Sequence, residues 1–87
     1  MTEHTNFTFP CDFQIKIIGV NHASFKQDMT HIAENYFPLL KEAAVTQKPS
    51  KQGQYLALTI SVWAQDKATL DALYTELSRH PDVKMVL

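Results

Sequence analysis

The stretch Gln54-Tyr55-Leu56-Ala57-Leu58-Thr59-Ile60-Ser61-Val62-Trp63-Ala64 decides what kind of fold this chain can adopt. Leu56, Leu58, Ile60 and Val62 fall on one side of an extended backbone, and Tyr55, Ala57, Thr59, Ser61 and Trp63 on the other. Such alternation marks a strand with one buried face. That face needs an apolar layer over it, and the backbone needs neighbouring strands.

Working outward, Pro49-Ser50-Lys51-Gln52-Gly53 has the composition of a hairpin loop, with Gly53 supplying a positive φ. The segment before it, Ala43 to Lys48, is a short and lightly apolar strand. Lys48 and Pro49 suit a sheet edge, where a missing N–H does no harm and a charge deters pairing with other chains. Beyond the strand, Asp66 is a good N-cap for a helix running to about Ser78, with Leu70, Leu73, Tyr74 and Leu77 as its buried stripe. Asp82 to Leu87 reads as a final strand, protected as an edge only by Lys84.

Toward the N-terminus the pattern repeats. From Asp12, residues Phe13, Ile15 and Ile17 alternate with Gln14, Lys16 and Ile18 in a strand that stops at Gly19. Phe25, Met29, Ile32 and Tyr36 then recur at helical spacing, broadened by Ala33 and Phe37, and Pro38 ends that helix. Ser24 with Gln27 fits a capping box, with Asn21 or His22 as earlier caps. The order is β-α-β-β-α-β. Two amphipathic helices need one apolar sheet face, and right-handed crossovers favour the split βαβ arrangement. The expectation is an α+β ferredoxin-like sandwich: a four-stranded antiparallel sheet of order 4-1-3-2 with both helices on one face. Residues 1–9 read as a flexible N-terminal arm with Phe7 and Phe9 as anchors, and 10–87 as a single domain.

Composition limits the function. With 87 residues there is room for one domain and a thin core, burying roughly 60–65% of the unfolded surface. The single cysteine, Cys11, excludes an intramolecular disulfide and any CxxC site, and fits a reducing cytoplasm. The N-terminus lacks the marks of a secretory leader, and no apolar run has membrane-spanning length. A net charge of −1 lacks the basic surplus expected of a nucleic-acid binder. His4, His22, His31 and His80 are scattered without ligand spacing, so neither a metal site nor a cofactor is expected. The one arginine, Arg79, lies far from the first turn, and no nucleophile has a base at a recognisable spacing, which argues against an enzyme.

Several motifs occur together: Phe9-Pro10 before the first strand, Lys16-Ile17-Ile18-Gly19 closing it, Lys48-Pro49-Ser50 and Gly53-Gln54-Tyr55 at the hairpin, Leu73-Tyr74-Thr75-Glu76-Leu77, and Val83-Lys84-Met85-Val86-Leu87. In this set the chain resembles the YbeD-like family of small bacterial proteins over residues 9 to 87. The resemblance implies a ferredoxin-like fold similar to the ACT regulatory domains, and no catalytic residues.

Two candidate sites follow. The turn Gly19-Val20-Asn21-His22 joins the first strand to the first helix, where ACT-like domains take small effectors. A glycine there lets a ligand approach, and amides at a helix N-terminus favour an anion such as an amino acid or another carboxylate. The opposite reading is a tight turn capped by Asn21. The second candidate is the helix-free sheet face, expected to carry Ile18, Tyr55, Trp63 and Val86 among polar neighbours. A half-apolar uncovered face suits self-association or a protein partner. The leading expectation is a non-enzymatic, ACT-like regulatory or interaction module, as a homodimer or docked to an enzyme. A small-molecule sensor at the turn and an RNA-binding module on the open face are the alternatives.

Overall fold

The computed structural model describes residues 8–87. Residues 1–7, with Phe7 and most of the expected arm, lie outside the described part. Six main elements follow one another: β1 (Cys11–Val20), α1 (Phe25–Tyr36), β2 (Val45–Pro49), β3 (Tyr55–Ala64), α2 (Lys67–Arg79) and β4 (Val83–Val86). The strands form one antiparallel sheet in the order β2-β3-β1-β4, as the sequence pattern predicts.

β3 is the spine of this sheet. It pairs with β1 along its whole length, from Cys11↔Ala64 to Val20↔Tyr55, and with β2 from Val45↔Ile60 to Pro49↔Leu56. Its alternating apolar residues Leu56, Leu58, Ile60 and Val62 are buried against the helices, beside Ile15 and Ile17 of β1. Phe25, Met29 and Ala33 of α1 and Leu70, Leu73 and Leu77 of α2 complete the core. Phe9 packs against its margin.

The helix ends differ in how their backbone groups are satisfied. Asp66 caps α2, its carboxylate accepting from the Thr69 N–H at 2.8 Å. The capping box expected at Ser24 does not form. Ser24 is the N-cap of α1, but its hydroxyl donates to Asp28 Oδ2 at 3.3 Å and makes no cap bond to the backbone. A short 3-10 turn, Glu42–Ala44, precedes β2, so β2 begins at Val45 where the sequence suggested Ala43. Gly53 has a φ of 73°, as its hairpin position requires.

Both edges are blunted. β2 ends in Lys48 and Pro49, and β4 spans only four residues with a register shift opposite Ile18 and Gly19. Short, bulged edges resist pairing with another chain. β4 is therefore less available than Lys84 as its sole guard would suggest.

Candidate functional site

At the end of β1 the chain turns into α1 against the loop before β4. Val20 N–H donates to the Asp82 carbonyl at 2.9 Å, and Asn21 N–H to the Gln54 carbonyl at 3.1 Å. Asn21 does not cap α1: its side-chain amide donates to the Gly53 carbonyl at 2.9 Å, fastening the turn to the β2–β3 hairpin. His22 Nε2 lies 2.8 Å from Asp82 Oδ2, and its Nδ1 lies 3.3 Å from the Ser24 N–H. Nε2 is thus placed against the carboxylate and Nδ1 against the Ser24 N–H. The imidazole edge also meets the Phe25 ring at a centroid distance of 5.9 Å.

Gly19 is a glycine for a packing reason. A Cβ there would lie 2.5 Å from the Asp82 carbonyl oxygen and closer still to the Phe25 ring. The space that a ligand was expected to use is filled by the protein itself. The turn does bring Gly19, Asn21 and His22 together, but each is committed to an internal contact.

Asp82, His22 and Ser24 stand in a line, with Ser24 Oγ 3.2 Å from His22 Nδ1. A hydroxyl beside a carboxylate-oriented imidazole is the grouping used in nucleophilic catalysis. Here the same nitrogen meets the Ser24 N–H, and the hydroxyl donates to Asp28. The ring closes a turn. Among the described residues, no group of three or more His, Cys, Asp or Glu side chains could hold a metal ion.

The open face is divided into zones by the strand register. At one end Ile18 pairs with Ala57 and with Met85, and Val20 pairs with Tyr55. These five residues make a contiguous apolar patch in which Met85 is 50% and Tyr55 40% exposed. The middle is polar: Lys16 pairs with Thr59, which pairs with Thr46, and Gln14 pairs with Ser61. Trp63 lies beyond that belt, opposite Asp12. Eight residues separate it from Tyr55, roughly 27 Å along an extended strand. Those two aromatics cannot stack on neighbouring bases.

Val86 requires a correction. It pairs with Ile17, whose side chain is buried beneath the helices, and it packs against the core. Paired residues of antiparallel strands point to the same face. Val86 therefore belongs to the helix side, and Met85 takes its place on the open face. Alternation alone left the phase of this four-residue strand undetermined; only its register with β1 settles it.

A sheet of order β2-β3-β1-β4 with both helices on one face defines the class, a ferredoxin-like sandwich. Solved structures show the same fold. The solution structure of protein HP0495 from H. pylori aligns with a TM-score of 0.77 at 16% identity, covering 99% of this chain and 90% of that one. The ACT domain from GTP pyrophosphokinase of Chlorobium tepidum aligns with a TM-score of 0.67 at 15% identity, covering 88% and 97%.

The chain belongs to the family described as "Protein of unknown function (DUF493)", whose model matches residues 4–87. A UPF0250 protein of Leptothrix cholodnii is 44% identical over 98% of this chain and 93% of its own length. Another, from Nitrosomonas europaea, is 38% identical over the full length of both. The YbeD-like resemblance carried by the strand-end and hairpin motifs agrees with this membership. No helix among the described residues is long and apolar enough to cross a membrane.

Proposed function

We propose that this protein is a non-enzymatic, ACT-like regulatory or interaction module of the bacterial cytoplasm that acts as a homodimer through one end of its open sheet face. The observation that carries this reading is the patch formed by Ile18, Val20, Ala57, Tyr55 and Met85, contiguous across three strands with no helix over it. Fully burying a side chain such as Met or Ile contributes about 1.5–3 kcal/mol. Two such patches brought together by a two-fold axis satisfy both copies at once.

The flanking turn supports the same reading. Asn21 and His22 tie the end of β1 to the hairpin and to the α2–β4 loop, so the patch sits on a rigid support. A metabolite sensor at this turn has less in its favour, because its polar groups already have partners within the chain. Sedimentation velocity across micromolar concentrations tests the proposal. The expected result is a species of about twice the 9.9 kDa chain mass that dissociates on dilution. A sedimentation coefficient fixed at the monomer value throughout would refute it.

A further inference from the structure

The end of the open face that carries the apolar patch also carries an exposed thioether. Of the two methionines among the described residues, Met29 is fully buried in the core and Met85 is 50% exposed. Met85 sits opposite Ile18, where β4 shifts register at the edge of the sheet. A side chain there is open from the edge as well as from the face. Leu87 continues the same surface. It exchanges backbone hydrogen bonds of 3.1 and 2.8 Å with Lys16, whose neighbours Ile15 and Ile17 point into the core, so both lie on the open face.

Hydrogen peroxide transfers one oxygen atom to such a sulfur. The O–O bond breaks, an S–O bond forms and water leaves, with sulfur oxidised by two electrons and the peroxide reduced. The product replaces an apolar side chain by a polar one. Covering it with a second apolar patch strips its water, and burying a polar group without a hydrogen bond is costly. The rest of the fold is spared. Met29 is 0% exposed, and Cys11 pairs with Ala64, seven residues along β1 from Ile18, roughly 23 Å in an extended strand.

We propose that Met85 is an oxidative modification site through which hydrogen peroxide dissociates the dimer. A thiol-dependent methionine sulfoxide reductase reverses the step, the oxygen leaving as water while two thiols become a disulfide. The inference rests on the dimer reading above. Pairing covers the sulfur, so oxidation runs through the free chain and dilution speeds it.

Peroxide treatment of the full chain, followed by peptide mass mapping and sedimentation velocity, tests this. The untreated sample reports on the dimer alone, and a monomer there would remove the reading on which the inference rests. After treatment, one oxygen should be added at Met85 and none at Met29. The dimer dissociation constant should rise roughly tenfold or more, as the lost burial of one methionine implies. A methionine sulfoxide reductase with dithiothreitol should restore the dimer. Met85→Leu should dimerise before treatment and stay dimeric after it, and wild-type Met85 should oxidise faster as the protein is diluted through its dissociation range. A dimer that persists with Met85 oxidised would overturn the proposal and leave the dimer reading standing. Equal dissociation of Met85→Leu would overturn it too, by placing the sensitive group elsewhere.

Discussion

The buried Phe25 ring fills the space that a side chain at Gly19 would need. The end of β1 and the first turn of α1 are thus fitted to each other before any ligand is considered. Gly19→Ala must push the ring or the Asp82 carbonyl aside, at the overpacking cost of about 1–3 kcal/mol. Denaturant midpoints measure this, and adding Phe25→Leu should recover part of the loss. An unchanged midpoint for Gly19→Ala would mean the two do not share that space.

Leu73 is fully buried in α2, while Lys67 on the same helix reaches only Asp71, 2.7 Å away on the surface. Leu73→Ala should lower stability by about 2–5 kcal/mol. Lys67→Ala should cost no more than about 0.5 kcal/mol, the value of an exposed pair one helical turn apart. Equilibrium unfolding of both variants checks the contrast, and equal small effects would contradict the packing.

The cap at Asp66 gives a pH dependence with a definite sign. The Thr69 N–H holds the carboxyl below its ordinary value of 3.8. A carboxyl depressed in the folded state contributes stability that is present above the ordinary value and lost as pH falls through the folded one. Asp66→Asn keeps an acceptor for the cap but cannot titrate. Its stability, compared with wild type between neutral pH and pH 2, roughly the window of a depressed carboxyl, should lack this acid-labile part, and superimposable profiles would contradict the cap.

Tyr36 and Glu76 join the two helices through a 2.6 Å hydrogen bond. Glu76 raises the phenol above its ordinary value of 10.0, and burial raises Tyr74. A phenol raised in the folded state contributes stability that is present below its ordinary value and lost as pH rises through the folded one. Ultraviolet titration should show two tyrosines ionising late, and Glu76→Ala should return one of them toward the ordinary value. Three unchanged tyrosines in that variant would show that the bond is absent.

The fold was legible because β3 and the two helices carry strong periodicity: Leu56 to Val62 at every second position, Phe25 to Tyr36 and Leu70 to Leu77 at helical spacing. Topology then followed from connection rules. The candidate sites were less legible, because they depend on register and on contacts between distant residues. Nothing local shows that Asn21 reaches Gly53, 32 residues on, or that His22 meets Asp82, 60 residues on. The same limit put Val86 on the wrong face and grouped Trp63 with a patch from which the register separates it. At Gly19 the need for a glycine comes from Phe25, six residues later, and from the Asp82 carbonyl, neither of which a local pattern shows.

The most direct test of the central proposal is the solution mass, by light scattering at micromolar concentration, of wild type, Met85→Asp and Trp63→Asp. Both substituted side chains are exposed, so neither variant empties a core site. Wild type and Trp63→Asp should have about twice the chain mass, and Met85→Asp the mass of one chain. A monomeric wild type, or a dimer lost with Trp63→Asp and kept with Met85→Asp, would contradict the account.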